Sequence, residues 1–287
     1  MLVVPDGFCH RERHFEVFLS HPDNHARRLC PYSAVVFDAV GTIIYAEPSP
    51  AEVYCDVAVA QGWQGTVEQV RERLPCAMRS QFQTTLTSVA SSTETSSPSG
   101  LLSPAPLQCV NQDLEHRNRW RAVVASVLRE LDSQTCHVVF EQLWRHFGSS
   151  NAWRVFADVE PAWKWCLDHG SLVAIASNFD SRLQQVLQGH SLFAQATRVI
   201  TSAQVGAAKP DRNFYRAVAE ALRVAPDNSL MIGDDYQADY EGARRAGFHS
   251  VWLDRGSTPS NQADCLQTLT ELPQWIVDRS RRCSHSA

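Results

Sequence analysis

Five short apolar runs punctuate the chain, at residues 34–37, 172–176, 198–200, 230–232 and 250–253. Runs this short and continuously apolar read as strands buried on both faces of a sheet. Stretches of helical character separate the later runs, at 161–169, 181–188, 211–223 and 236–246. Alternation of strand and helix predicts an α/β, doubly wound core, a parallel sheet covered by helices on both faces.

The long interval between the first two strands holds no run that reads as a strand. It holds helical patterns at 51–61, 67–82, 117–131 and 135–147. Ligands in open α/β sheets bind beyond the carboxyl ends of the strands, so an insertion leaving that end can lie over the site as a cap. The expected organisation is a core of residues 31–46 and 158–287 and an α-helical cap of 47–157. Before them comes a polar leader, 1–30, rich in His and Arg and expected to be loose or disordered. Within the cap, residues 84–106 are dominated by Ser, Thr, Pro and Gly, with Glu94 the only charge. Such a segment buries too little apolar surface to offset its ordering entropy, and a disordered loop is expected there. Trp120, Val123, Val124, Val127, Leu128 and Leu131 form a helical stripe, as do Phe140, Leu143, Trp144 and Phe147, and both stripes read as cap core. Arg117, Arg119 and Arg121 read as solvated helix charges, with a crevice-facing role toward an anionic substrate as the alternative.

Composition narrows the partners. Lys plus Arg is 26 against 31 for Asp plus Glu, a net charge of −5, which argues against a nucleic-acid surface. No apolar run approaches the roughly 18–20 residues of a membrane helix. The start lacks the apolar stretch of a secretory signal, so a cytoplasmic protein is expected. The nine cysteines form no CxxC pair and read as reduced thiols. The partner expected is a small molecule, with the chain a monomer or homodimer.

Four strand ends carry chemistry. Asp38, followed by Gly41-Thr42, is a carboxylate at the tip of the first strand. It is suited to act as a nucleophile, to ligate a metal, or to close an Asx turn. The Ser177 hydroxyl and the following Asn178 N–H can cradle an anion or cap a helix, with Asp180 read as the cap. Lys209 is one of two lysines in the chain, the other being Lys164; the remaining basic residues are all Arg. A compact ammonium here can neutralise a phosphate and orient a carboxylate, with Pro210 opening the next helix. Asp234, Asp235 and Asp239 gather carboxylates at a strand-to-helix turn, a donor set suited to Mg²⁺, or to an acidic helix start.

In this order, Asp38 with Gly41-Thr42, Ser177, Lys209, and Asp234 with Asp239 resemble the motifs of the haloacid dehalogenase superfamily of hydrolases. The branch resembled is phosphatase-like, with a helical cap after the first strand, and the resemblance covers about residues 34–254. It implies a Rossmann-like core and a covalent mechanism in which Asp38 attacks phosphorus to form an aspartyl-phosphate. It also implies Mg²⁺ held by Asp38, the Val40 backbone carbonyl, Asp234 and Asp239, with Asp235 a further ligand. Ser177 would hydrogen-bond a phosphoryl oxygen, and Lys209 would stabilise nucleophile and intermediate.

One position departs from that pattern. Two residues after the nucleophile most phosphatases of the superfamily carry a second Asp as general acid and base; here it is Val40. Such catalysis is typically worth about 10²–10⁴-fold. The substrate is then a small phosphorylated metabolite with a good leaving group, such as an acyl phosphate, an aryl phosphate or a phosphoanhydride. Otherwise the acid comes from elsewhere, with Glu47 and a cap histidine as candidates. The alternatives are 2-haloacid dehalogenase chemistry, where halide leaves without a proton, and a catalytically weak member that binds a phosphorylated ligand. Three clustered carboxylates favour the Mg²⁺-dependent phosphohydrolase, since without a cation they repel one another.

Overall fold

The computed structural model describes residues 30–82, 106–256 and 264–284. Residues 1–29 of the leader and 83–105 of the Ser/Thr-rich segment lie outside the described residues. Cys30 is buried, its thiol within 3.2 Å of the Ser171 hydroxyl, so the packed chain includes the last residue assigned to the leader.

The core sheet has six parallel strands: β1 (Ala34–Phe37), β4 (Leu172–Ser177), β5 (Arg198–Thr201), β6 (Ser229–Gly233), β7 (His249–Leu253) and β8 (Cys265–Leu266), in the order β5-β4-β1-β6-β7-β8. β1 is central, with Phe37 paired to Ile175 on one side and Ile232 on the other. The sheet is therefore doubly wound. β1 stands at the topological switch point, where an open α/β sheet binds its ligand.

The two faces of the sheet divide by the period-two alternation of side chains. Val35, Phe37, Val173, Ile175, Leu230 and Ile232 point to one face and pack on α5 (Val159–Asp168), α6 (Arg182–Gln188) and α10 (Leu272–Ser284). There Phe37 stacks on Trp163, ring centroids 5.5 Å apart. Ala34, Val36, Ala174 and Ala176 point to the other face, beneath Phe214, Tyr215 and Val218 of α8 (Arg212–Leu222) and Ala243 of α9 (Gly242–Arg245). Small strand residues leave room for the large α8 aromatics, as close packing requires. α8 is capped by Asp211, whose carboxylate accepts from the Asn213 N–H, so Pro210 precedes the cap and does not open the helix.

The chain leaves the first strand through a loop and β2 (Ile44–Ala46), and returns through β3 (Trp153–Val155), with which β2 pairs antiparallel. This return strand was not foreseen: three residues ending in an Arg-Val step give no run long enough to read. Between the strands lie α1 (Pro50–Val59), α2 (Val67–Phe82), α3 (Pro106–Val127) and α4 (Ser133–Phe147), whose buried residues form one cluster including Tyr54, Leu74, Val124, Phe140 and Leu143. Ser49 and Glu52 make a reciprocal capping box at α1, and Asp132 caps α4. α3 begins eleven residues before the predicted start at 117. The early turns lack an apolar stripe but dock on the core: the Ser181 N–H donates to Asp113, and His116 Nε2 lies 3.3 Å from the Ser202 hydroxyl.

Candidate active site

Asp38, Ser177 and Asp234 each follow directly from a strand of the central trio or end it, so parallel pairing sets them side by side at one edge of the sheet. Lys209 reaches the same point from the loop before α8. Its Nζ donates to Asp38 Oδ1 at 2.6 Å, to Asp239 Oδ1 at 2.6 Å and to the Ala176 carbonyl at 3.0 Å. Its backbone is clamped by the side chain of Asn178, which accepts from the Lys209 N–H at 2.8 Å and donates to the Lys209 carbonyl at 2.9 Å. The Asn178 amide is thus spent on placing the lysine, and any contact it makes with a ligand falls to its backbone.

Asp38, Asp234 and Asp239 each offer a carboxylate oxygen within 4.8 Å of the others. Asp239 is buried, its second oxygen accepting from the Asp235 N–H at 3.1 Å. Asp234 faces the crevice and trades hydrogen bonds with Thr42: the Thr42 hydroxyl donates to Asp234 Oδ1 at 3.2 Å and accepts from the Asp234 N–H at 3.1 Å. Asp235 stands outside this group of three. Its carboxylate accepts from the Gln237 and Ala238 N–H groups, both at 2.8 Å, at the head of a π-helical turn, Tyr236–Glu241. That turn carries Asp239 inward beneath Gly233, where a Cβ would collide with the Asp239 carboxylate.

Burial raises the carboxyl pKa of Asp234, reinforced by the nearby Asp38 charge. Burial also raises that of Asp239, with the Asp38 charge adding and Lys209 opposing. Burial works against the Lys209 ammonium, but the Asp239 and Asp38 carboxylates outweigh it and hold its pKa above the ordinary lysine value. Three carboxylates gather here against one ammonium, which bonds Asp38 and Asp239, and an excess of negative charge is left at a point built of hard oxygen donors. That is the donor set and charge balance a small divalent cation fits.

One support explains a motif residue and another escaped the sequence reading. Gly41 has φ of +88°, and a Cβ there would strike the Asp234 carboxylate, so only glycine lets the loop after Asp38 close against it. Arg255, just past β7, donates to the Gly41 carbonyl at 3.2 Å and the Thr42 carbonyl at 2.8 Å while forming a bidentate pair with Asp158. Asp158 in turn accepts from the Thr268 hydroxyl and the Leu269 N–H, each at 2.8 Å. An arginine at the tip of a fifth strand was the available signal.

A cavity of about 400 Å³ opens between these strand ends and the helices. Asp38, Val40, Ser177, Asn178, Lys209, Asp234, Asp235 and Asp239 line one side. Val40, partly exposed, occupies the position where an acid was missed. Glu47 is not in the lining; it pairs with Arg154 at 3.1 Å. No histidine lines it among the described residues. Arg117 and Arg121 both pair with Glu141, and Arg119 pairs with Glu115, so none of the three reaches the cavity. Arg182 does reach it, anchored by Asp180 through two bonds of 2.7 Å. Asp180 also accepts from the Arg182 N–H at the start of α6, but it stands one residue before the N-cap, which is Ser181, so it does not cap the helix as expected.

A family model described as haloacid dehalogenase-like hydrolase matches residues 32–247. The mouse haloacid dehalogenase-like hydrolase domain-containing protein 3 is 34% identical over 157 residues, 54% of this chain and 62% of its own length. The phosphoserine phosphatase of Thermus thermophilus is 39% identical over 93 residues, 32% of this chain and 37% of its own length. The matches thus span less than two thirds of either relative. Among solved structures, the magnesium-bound HAD-hydrolase YfnB of Bacillus subtilis superposes with a TM-score of 0.61 at 16% identity, covering 85% of this chain and 98% of that one. At that identity the likeness shows the fold alone.

Proposed function

The chain belongs to the haloacid dehalogenase-like hydrolases, and from that premise we propose that it is a Mg²⁺-dependent phosphohydrolase acting through a phosphorylated Asp38. The observation that carries the reading is the Lys209 ammonium held at 2.6 Å from both Asp38 and Asp239, with Asp234 in the same cluster. Phosphatases among the relatives support phosphoryl over halide chemistry. So does the cluster itself, since three neighbouring carboxylates repel one another unless a cation offsets them.

Lys209 occupies Asp38 Oδ1, and among the described residues no hydrogen bond reaches Oδ2, which is left as the attacking oxygen. In the first step the bond from Asp38 Oδ2 to phosphorus forms and the bond from phosphorus to the leaving oxygen breaks, its electron pair departing with that oxygen. Water then attacks phosphorus, inorganic phosphate leaves, and Asp38 regains its carboxylate. Lys209 steadies the carboxylate before attack and the acyl phosphate after it. The Ser177 hydroxyl and the Asn178 N–H bind phosphoryl oxygens. Asp38, the Val40 carbonyl, Asp234 and Asp239 would hold the metal, with Asp235 at most an outer partner. Mg²⁺, when bound, supplies positive charge to the phosphoryl oxygens. Val40 offers no proton, so the substrate is one whose leaving group departs as a stable anion.

The described residues hold no helix long and apolar enough to cross a membrane, and a cytoplasmic setting is part of the proposal. The test is phosphate release from an aryl phosphate with Mg²⁺ or with EDTA. Turnover that needs Mg²⁺ and falls about 10⁴-fold or more in Asp38→Asn is expected for loss of the nucleophile. Turnover that survives EDTA, or that Asp38→Asn retains, overturns the reading.

A further inference from the structure

The wall of the cavity facing the strand tips comes from the helices and their neighbours, and it is almost wholly apolar. Seven aromatic side chains, Tyr54, Trp120, Phe140, Trp144, Phe147, Trp153 and Phe179, face one cavity of about 400 Å³, with Met78 beside them. Among the described residues that wall carries no carboxylate and no imidazole. Its one charged group is Arg182, and that charge is already satisfied. Nε and Nη2 bind the two oxygens of Asp180, Nη1 donates to the Trp144 carbonyl at 2.6 Å, and the guanidinium lies 3.3 Å over the Trp144 ring. A carboxylate or ammonium on the substrate would find no partner there and would lose its hydration.

We infer that the leaving group is a flat, apolar aromatic body, so that the substrate class is an aryl phosphate without a carboxylate or ammonium group. The inference rests on the phosphohydrolase reading and narrows it through two independent observations. Val40 cannot protonate an alkoxide, whereas a phenolate departs without an acid. The facing wall offers rings and no ion partner, and aromatic rings stack well on one another. A cavity of this size has room for the phosphate and a one- or two-ring body, within the usual range for small-molecule sites. In the transfer step the phenolic oxygen keeps the electron pair of its bond to phosphorus and takes its proton from water.

Binding and turnover separate this inference from the reading beneath it. In Mg²⁺, 1-naphthylmethylphosphonate and 2-amino-3-phosphonopropanoate are titrated by calorimetry, and 1-naphthyl phosphate, acetyl phosphate and phosphoserine are assayed for phosphate release. The naphthyl phosphonate is expected to bind about 10²-fold or more tightly than the zwitterionic phosphonate, because unpaired buried charges discriminate strongly. 1-Naphthyl phosphate is expected to lead the panel in kcat/KM. Met78→Asp and Trp144→Leu should each lower the naphthyl-to-acetyl ratio of kcat/KM at least about fivefold, through KM. Equal binding of the two phosphonates, a preference for phosphoserine, or a ratio unmoved by both variants overturns the inference while phosphohydrolase chemistry stands. Selective binding of the naphthyl phosphonate with no phosphate released from any ester upholds the apolar selectivity and overturns the phosphohydrolase reading instead.

Discussion

Across one cavity the molecule sets two walls against each other. On the strand-tip wall the charged side chains are held by specific polar partners: Asp38 and Asp239 by Lys209, whose backbone Asn178 clamps, and Asp234 by Thr42. On the helical wall the rings are held mainly by packing, with the Trp153 indole N–H donating to the Phe147 carbonyl, and among the described residues its one ion is locked in a pair with Asp180 and stacked on Trp144. The first arrangement fixes charge to within a hydrogen bond and suits chemistry on phosphorus. The second excludes water and selects by shape and polarity. On the proposed reading, one wall decides what reaction occurs and the other what is allowed to undergo it.

Lys209→Met should break the strand-tip wall most severely. It leaves two carboxylates that are nearly inaccessible, Asp38 and Asp239, without their shared cation, a change that typically costs about 3–5 kcal/mol. Chemical denaturation without metal should show that loss, and turnover should drop about 10²–10³-fold. Added Mg²⁺ is expected to restore part of the stability but not the rate, because a cation bound to the cluster does not replace the donor to Asp38 Oδ1. Wild-type stability in the variant would show that the ammonium and the carboxylates are not coupled as drawn.

Val40→Asp sharpens the contrast from the other direction by adding a carboxylic acid opposite a helical wall that, among the described residues, carries neither carboxylate nor imidazole. Hydrolysis of an alkyl phosphate should rise about tenfold or more, the lower part of what a well-placed acid supplies. Aryl phosphate turnover should change little. A uniform loss on both substrates would mean that the cavity tolerates no further charge beside Asp38.

The strand-tip wall was legible in the sequence because Asp38, Ser177 and Asp234 each close an apolar run while Lys209 and Asp239 follow in a fixed order, so order and context together identify them. Asp38, Ser177, Lys209, Asp234 and Asp239 do converge on one crevice. The helical wall was legible only as a helix cluster. Periodicity shows that Trp144 and Phe147 are apolar on one face, but not that the same face also borders a cavity. The pairing of Arg117 and Arg121 with Glu141, and the choice of Arg182 to face the site, depend on which helices become neighbours. Short elements were lost for a different reason. β3 has three residues and β8 two, too few to express a period, and the π-helical turn that buries Asp239 follows no repeat that a helix template detects.

Arg255 links the two kinds of region, since it ties the loop after Asp38 to the segment that returns from the helices. Arg255→Met frees the Gly41 and Thr42 carbonyls and leaves Asp158 without its bidentate partner. Burial alone would raise the Asp158 pKa, but the Arg255 bonds, the Leu269 N–H and the Thr268 hydroxyl hold it below the ordinary value. Stability from this pair is therefore complete above the unfolded carboxylate pKa of about 3.9 and is lost as pH falls through the lower folded value. The variant should lose about 2 kcal/mol near neutrality, the worth of hydrogen bonds to a charged and partly buried group. Its kcat should fall about tenfold as the Gly41 turn loosens, with KM little changed. Unchanged kcat would place the tether outside the catalytic geometry.

The smallest effect concerns the joint between the walls, where α3 leans on the segment after β5. His116 is buried there, its Nε2 beside the Ser202 hydroxyl and its Nδ1 without a partner. Burial lowers its pKa; Asp180, Asp113 and Glu115 oppose the shift, while Arg119 adds to it. The folded protein thus keeps the imidazole neutral at a pH where the unfolded chain protonates it. The contribution is full above the unfolded value of about 6.5 and declines as pH falls from there toward the folded pKa. Thermal melts between neutral and mildly acidic pH should show wild-type stability falling on that side, and His116→Leu should flatten the slope. A variant with the same slope would assign the acid sensitivity to other groups. A flattened slope joined to faster opening of α3 against Ser202 in amide exchange would show that this contact sets how firmly the apolar wall is held over the charged one.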